Sequence, residues 1–337
     1  ALARDGLDEF YRGDLARVIA ADLARAGSPL TLDDLARHRA QVVTPLSLTM
    51  RDGTTVFNLP PPTQGLASLL ILALFDRFAP EQGEGFARVH AIVEATKLAF
   101  RVRDAEVADP AAMRRPAAEF LSADTIAALA AEFDPSRARP WPEPAPAKGD
   151  TIWMGCVDEE GRAVSFIQSL YWEFGSGVVL GDSGILWQNR GCGFSLAPGS
   201  PRELQPGRRP FHTLNPAFAR LADGRSAVYG AMGGDGQPQT QAAIFSRMTR
   251  YGASPQAAVT APRWLLGRTW GAAAANLKVE SRLGEDVIAR LRDAGHDVEV
   301  LGEFDELMGH AGMIVRTPTG LLEGAADPRG DGAAAGY

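Results

Sequence analysis

Thr151 opens an apolar stretch, and a threonine hydroxyl becomes a useful nucleophile only with a base beside it. A threonine at a chain end carries that base itself. Its free α-amino group, with a reference pKa of about 7.7–8.0, reaches the hydroxyl directly or through one water. Such chemistry requires a break between Asp150 and Thr151. On residue type alone, a threonine opening a strand is ordinarily structural. Acyl transfer also needs donors aimed at a developing oxyanion, each worth about 3–4 kcal/mol. Gly233 and Gly234, within Gly230-Ala231-Met232-Gly233-Gly234-Asp235-Gly236, could offer backbone N–H groups, since glycine has no Cβ to hold a substrate away. The same run also reads as a tight strand-to-helix turn, or as a loop that cradles phosphate. Its spacing is not G-x-G-x-x-G, and residues 237–279 hold no Asp or Glu to bind a ribose, which counts against the nucleotide reading.

These residues need elements to position them. Thr151–Val157 and Ala163–Leu170 read as two apolar strands joined by the polar turn Asp158–Arg162, which contains Gly161. A loop with Gly175, Gly177, Gly181 and Gly184 follows, then an apolar run at Ile185–Trp187. Upstream, Leu7, Phe10, Tyr11, Leu15, Val18, Ile19 and Leu23 have helical spacing over 2–26, and Gly27-Ser28-Pro29 ends it. Thr31 caps a short helix over Leu32–His38. Val42–Leu48 and Thr54–Leu59 alternate as strands, and Pro60-Pro61-Pro62 precedes a long apolar helix, Leu66–Phe78. A second helix, Phe86–Val102, carries His90 and Lys97, read as surface or satisfied-core residues. Residues 136–149 have a linker's composition, read either as slack before Thr151 or as an ordinary loop. Beyond the central block the pattern predicts strands at Ala217–Leu221 and Ser226–Tyr229, and a helix through Ala242, Ala243, Phe245 and Met248. It continues with a short helix at Pro255–Val259, strands at Leu277–Glu280 and Val298–Leu301, and a helix at Gly284–Ala294.

With 337 residues the chain can bury a large core, as two domains or as one large α/β sandwich. A formal charge of −7 without a basic block argues against nucleic acid. No apolar run approaches the roughly 18 residues of a membrane span. No signal peptide is visible. Cys156 and Cys192 lie in no metal or redox spacing and read as reduced thiols. No ligand cluster is visible, so neither a metal nor an organic cofactor is expected.

The central block resembles the start of the small subunit of the gamma-glutamyltranspeptidase family of N-terminal-nucleophile hydrolases. There a Thr opens a strand, a V-D-x-x-G-x-A-V hairpin follows, and F-G-S-G-V-V and S-G-I-L lead into the substrate loop. The matching residues here are Thr151, Val157-Asp158 through Gly161 to Ala163-Val164, Phe174–Val179 and Ser183–Leu186. FYRGDLA, SPLTLDDLARH and LPPPTQGLASLLIL are similar to the latter half of the large subunit, so the family pattern begins well before Ala1 and includes an arginine that grips a substrate carboxylate. Asp327-Pro328-Arg329 and Ala334–Tyr337 match the usual ending, so a natural C-terminus is expected. The resemblance implies an α+β fold, a four-layer αββα sandwich. Residues 1–150 would be the C-terminal part of the large subunit and 151–337 the small subunit, both from one precursor and together one domain. A dimer of such heterodimers is the assembly it allows. It implies cleavage at Asp150–Thr151, Thr151 as nucleophile, Ser169 as the second hydroxyl that orients the nucleophile's amine, and Gly233 and Gly234 as oxyanion donors.

The departures from the transpeptidase pattern are informative. Tyr171 stands where transpeptidases carry an Asn, and Gly193 where they carry the Asp that pairs with the substrate's α-ammonium. His212 and Thr213 replace two serines near the α-carboxylate. An ammonium buried without a counter-ion is costly, which argues against a γ-glutamyl substrate. Arg190, with His212 as a second candidate, brings cationic donors, while Tyr171 and Trp172 add bulk. A small amide bearing a carboxylate and no ammonium fits these changes. With TIWMG, SFIQS, LWQNRG, RRPFHTLNP and YGAMGGDGQPQTQ, the set is similar to the oxamate amidohydrolase branch of the family, whose reaction, oxamate to oxalate and ammonia, belongs to purine-ring nitrogen salvage. A γ-glutamyltransferase, hydrolase or related acylase is the alternative. An uncut chain that binds a carboxylate without turnover is a second one. The expected compartment is the cytoplasm, with the periplasm as the alternative.

Overall fold

The computed structural model of the chain describes residues 2–78, 80, 84–141, 150–267 and 274–337. The helix expected over 2–26 is three pieces: α1 (Leu2–Asp5), α2 (Glu9–Arg12) and α3 (Asp14–Arg25). Gly6 at φ 89 and the extended Gly13 interrupt it. In α4 (Leu32–Arg37) the Thr31 hydroxyl accepts from the Asp34 N–H and the Asp34 carboxylate accepts from the Thr31 N–H, a reciprocal cap. Strands β1 (Leu46–Thr49) and β2 (Thr55–Asn58) begin later than the alternation predicted. Helix α5 (Gly65–Phe78) is buried from Gly65 to Phe75, so it shows no polar face. Helix α6 (Phe86–Glu106) packs on it, and α7 (Ala123–Ala130) follows.

The hairpin is β3 (Asp150–Val157) and β4 (Ala163–Tyr171), and the Ile185–Trp187 run forms no strand of its own. Next come β5 (Ala217–Arg220), β6 (Ser226–Ala231), α8 (Gly236–Tyr251), α9 (Pro255–Thr260) and β7 (Trp264–Leu266). The chain ends with β8 (Leu277–Glu280), α10 (Glu285–Asp293), β9 (Val298–Leu301), β10 (Ala311–Arg316) and β11 (Leu322–Ala326). The pattern reading missed β10, yet it is a central strand. The sheet runs β1-β2-β5-β6-β10-β11, with every neighbouring pair antiparallel. It takes strands from both sides of Asp150. Helices α5, α6 and α8 pack together, with α5 and α8 against sheet strands, and the β3–β4 hairpin packs on β6 and β10. The class is α+β, with a helical layer, the six-stranded sheet, the β3–β4 hairpin and a separate three-stranded sheet, β7-β8-β9, whose β8–β9 pair is parallel. A second, smaller core joins α3 and α4 to the glycine-rich loop through Ile19, Leu23, Leu35 and Leu180.

Most of the linker expected over 136–149 lies outside the described residues. Its first part is not slack. The Ala138 N–H donates to the Ala294 carbonyl at 2.7 Å, and Lys97 Nζ donates to the Arg139 carbonyl at 2.6 Å.

One side chain sets the seat of the hairpin. The Trp153 indole lies over Gly230 of β6 and Gly312 of β10, which are directly opposite each other in the sheet. A Cβ at either glycine would overlap the ring, and the indole Nε1–H donates to Ser165 Oγ at 3.0 Å. Aromatic burial here requires bare backbone beneath it. Gly312→Ala is therefore expected to lower stability by roughly 1–3 kcal/mol through overpacking. Thermal denaturation of the variant beside the parent reads that loss directly; an unchanged midpoint would mean the ring is not seated there.

Candidate functional site

Thr151 lies in β3, two residues before the seated Trp153, and is 8% exposed. The β3–β4 ladder shifts register between the Asp150–Tyr171 and Ile152–Gln168 pairs, so β4 carries an extra residue opposite Thr151. Such a bulge turns side chains off the regular alternation. It brings the two hydroxyls together: Thr151 Oγ1 donates to Ser169 Oγ at 3.0 Å. Ser169 Oγ also accepts from the Tyr171 N–H at 2.8 Å. Tyr171 pays for the turn with φ 82, a left-handed conformation rare outside glycine. The Asp150 backbone belongs to the same strand.

Beyond the bulge the chain enters the glycine-rich loop and returns at Asn189, whose N–H donates to the Leu170 carbonyl at 3.2 Å. Asn189 Oδ1 accepts from the Trp172 N–H, also at 3.2 Å. A one-turn 3-10 helix, Arg190–Gly193, follows. The Arg190 guanidinium carbon lies over the Tyr171 ring, 3.3 Å from its centroid, a cation–π contact. One nitrogen, Nη1, donates to the Phe211 carbonyl at 3.3 Å. Nε and Nη2 are buried with no hydrogen-bond partner, and among the described residues no carboxylate pairs with Arg190. Burial pushes its pKa down to about 10, with Tyr171 and Asp235 opposing, so it stays charged at neutral pH.

His212, followed by Thr213, lies near enough to Arg190 to feel its charge. The His212 N–H donates to the Pro62 carbonyl at 3.0 Å, and its ring Nδ1 is buried without a partner. Burial, then repulsion from Arg190 and Arg209, pushes its pKa down to about 4. His212 is thus a neutral imidazole at pH 7, and the second cationic donor expected from the sequence is not one. Gly193 is pressed against backbone: a Cβ there would overlap the Phe211 carbonyl oxygen. An Asp at this position would need the loop to move.

Gly233 (φ 119) and Gly234 (φ 51) form the turn between β6 and α8. The Gly236 N–H donates to the Gly233 carbonyl at 2.7 Å and the Gln237 N–H to the Gly234 carbonyl at 3.2 Å. The sequence reading missed what supports this turn. Arg103 of α6 pairs with Asp235 at 2.9 Å and donates to Gln64 Oε1 at 3.1 Å. On the far side Arg263 pairs with Asp327 and donates to the carbonyls of Met308 and Gly309. Arg329 pairs with Glu280 at 2.5 Å and with Asp327 at 3.0 Å. The Asp327-Pro328-Arg329 phrase is therefore a buried ion-pair anchor at the start of β10. No sequence spacing shows it, because its partners are far away in the chain.

His90, Glu94 and His296 also converge, with ligand atoms within 4.8 Å of one another, a grouping that sequence spacing does not reveal. Each of them already has a partner. His90 Nδ1 and His296 Nε2 share a hydrogen bond at 2.8 Å, Glu94 holds Lys97 at 2.7 Å, and Glu94 also accepts from the Arg139 N–H at 3.1 Å. Burial, then Lys97 and His90, pushes His296 down to about 3, the signature of a packed neutral ring beside a cation. His90 and Lys97 are satisfied core residues. Among the described residues no helix is long and apolar enough to cross a membrane.

A family model described as gamma-glutamyltranspeptidase matches residues 1–337. The chain is 56% identical over 336 residues to the oxamate amidohydrolase proenzyme of Klebsiella pneumoniae subsp. pneumoniae, covering 100% of this chain and 63% of that protein. It is 44% identical over 341 residues to the glutathione hydrolase-like YwrD proenzyme of Bacillus subtilis, covering 99% and 64%. A cephalosporin acylase from Bacillus halodurans superposes with a TM-score of 0.90 at 35% identity, over 100% of this chain and 61% of that one. The chain thus spans less than two thirds of the length of these relatives.

The neutral His212 has a pH consequence. Its folded pKa lies below the unfolded value of about 6.5, so the unfolded chain binds the proton more readily. The stabilising contribution is present above pH ~6.5 and is lost as pH falls toward the folded pKa of about 4. NMR titration of the imidazole is expected to show no midpoint near 6.5; a midpoint there would refute the buried, neutral ring.

Proposed function

This chain belongs to the gamma-glutamyltranspeptidase family, and from that premise we propose that it is the greater part of a self-cleaving N-terminal threonine amidohydrolase acting on oxamate. In maturation the Thr151 hydroxyl attacks the Asp150 carbonyl carbon, the bond to the Thr151 nitrogen breaks, and an ester forms. Water hydrolyses that ester, leaving a carboxylate on Asp150 and a free amine on Thr151. One precursor thereby becomes two subunits that share the six-stranded sheet.

In turnover the Thr151 hydroxyl, its proton taken by its own amine, attacks the amide carbon. Ser169, at 3.0 Å, holds the hydroxyl in line. The N–H groups of Gly233 and Gly234 meet the oxyanion. Ammonia leaves with the proton returned by the amine, and water hydrolyses the oxalyl ester to oxalate. No step needs a metal.

The observation that carries the substrate assignment is the Arg190 guanidinium. It is buried over Tyr171 with Nε and Nη2 unpaired. A buried cation lacking an anion is unfavourable, and a substrate carboxylate supplies the missing partner in bidentate geometry. His212 and Thr213 flank that position as neutral groups. Gly193, packed on the Phe211 carbonyl, supports the absence of an ammonium on the substrate. The name of the Klebsiella relative points to the same substrate.

The test is the intact mass of the full-length protein, then ammonia release. A fragment beginning at Thr151 and ammonia from oxamate, but not from γ-glutamyl amides, is the expected result. Thr151→Ala should remain one chain. Arg190→Gln should mature normally and lose oxamate turnover roughly 100-fold, on the scale of a lost charge-assisted hydrogen bond, mainly through KM. Activity confined to γ-glutamyl amides would overturn the substrate.

A further inference from the structure

Two glycines with positive φ make a turn whose torsions no side chain restricts, so its hydrogen bonds must hold its shape. Each peptide unit is planar, so holding the Gly233 carbonyl aims the Gly234 N–H, whereas holding the Gly234 carbonyl aims the Asp235 N–H and fixes the far end of the turn through the Gly234 Cα. The Gly233 carbonyl is held from within the turn by the Gly236 N–H. The Gly234 carbonyl accepts from the Gln237 N–H at 3.2 Å and is held from outside the turn as well. Gln64 Nε2 donates to it at 2.8 Å and donates also to the Thr213 carbonyl at 2.8 Å.

Gln64 is suited to this by its own fixation. It is fully buried, in the short loop between β2 and α5. Thr63 Oγ1 donates to the Leu59 carbonyl at 3.0 Å and accepts from the Gly65 N–H at 3.1 Å, which closes that loop. A Cβ at Gly65 would overlap the Leu59 carbonyl, so the loop is packed to backbone contact. The carboxamide oxygen accepts from Arg103 Nη1 at 3.1 Å, and the same nitrogen donates to Asp235 at 2.9 Å. Arg103 itself is stacked on Phe100, 3.8 Å from the ring centroid. The chain Arg103–Gln64–Gly234/Thr213 uses both ends of the amide. A flipped amide would face oxygen with oxygen at the two carbonyls and donor with donor at Arg103, so one orientation is enforced.

We propose that Gln64 is a positioning residue that clamps the Gly233–Gly234 turn to the Thr213 loop, setting the distance between the oxyanion donors and the carboxylate end of the substrate. The catalytic part of this rests on the reading of Gly233 and Gly234 as donors. The mechanical part, that the carboxamide orders the turn, does not. A clamp between these two walls matters most for a substrate as short as oxamate, whose reacting carbon is bonded directly to its carboxylate.

The test uses the mature, full-length enzyme with Gln64→Met, which keeps length and removes both donors. A second variant, Gln64→Glu, keeps the Arg103 partner should the first fail to fold. Three readouts are compared with the parent: hydrogen exchange of the peptide containing residues 232–236, oxamate kinetics, and inhibition by oxalate and by glyoxylate. Glyoxylate carries an aldehyde beside a carboxylate, so a nucleophilic hydroxyl converts it to a tetrahedral adduct that needs the donors; oxalate does not form one readily. The expected result is faster exchange in the turn by tenfold or more, and kcat lower by roughly 10–100-fold, a part of the loss known for removing an oxyanion donor outright. KM and oxalate inhibition should move less than threefold, while glyoxylate weakens in step with kcat. Unchanged exchange in both variants overturns the clamp whatever the substrate. Faster exchange with equal weakening of oxalate and glyoxylate overturns the positioning of the donors, leaving Gln64 as support for the carboxylate wall. Parent enzyme that neither hydrolyses oxamate nor binds glyoxylate would instead reject the functional reading, and the exchange result would still decide the clamp.

Discussion

The seating of one indole on bare backbone governs the rest of this molecule. Trp153 needs Gly230 and Gly312 to lack side chains, and it needs Ser165 within hydrogen-bond reach. Those conditions fix how far the hairpin sits above the sheet and where along it. Thr151 is two residues away on the same strand, so its height above the sheet follows from the same packing. The bulge opposite it then turns its hydroxyl to Ser169. Sheet packing sets the frame, and a local irregularity does the aiming. Because β6 runs straight from Gly230 into the glycine turn before α8, the same contact relates hairpin and turn.

Around this frame the charges fall into two groups. Arg263, Arg329, Asp327 and Glu280 are paired and buried, and their worth lies in fixing β10 and the Met308–Gly309 carbonyls rather than in net stability. Arg103 is likewise paired, with Asp235 and Asp104. Arg190 differs. It is held in shape by an aromatic face and one carbonyl, with two nitrogens left over. His212 beside it is kept neutral by burial and by the charges of Arg190 and Arg209.

Much of the fold was legible in the sequence. The apolar density of Gly65–Phe78, the threonine cap before Leu32 and the turn-bounded hairpin after Thr151 are local signals, carried by residues a few positions apart. They failed where a glycine acted as a breaker inside a helical pattern, at Gly6 and Gly13, and where a short strand containing glycine, Ala311–Arg316, had too little periodicity to stand out. Its identity as a central strand comes from its neighbours β6 and β11.

The candidate site divides along the same line. By itself the sequence determined which chemical groups are present and in what order: a threonine opening a strand, a second hydroxyl on the returning strand, a glycine pair between strand and helix, and an arginine after the glycine-rich loop. It also determined the family, because those motifs recur in one order. Only the tertiary structure decided how they are placed against one another. The register shift that joins Thr151 to Ser169, the stack of Arg190 on Tyr171, the loss of charge on His212 and the amide of Gln64 between Thr213 and Gly234 all depend on residues distant in the chain. The physical reason is that propensity and pattern are properties of neighbours along the backbone. Desolvation, ion pairing and the direction of a hydrogen bond are properties of neighbours in space, and these arise only when the chain has folded.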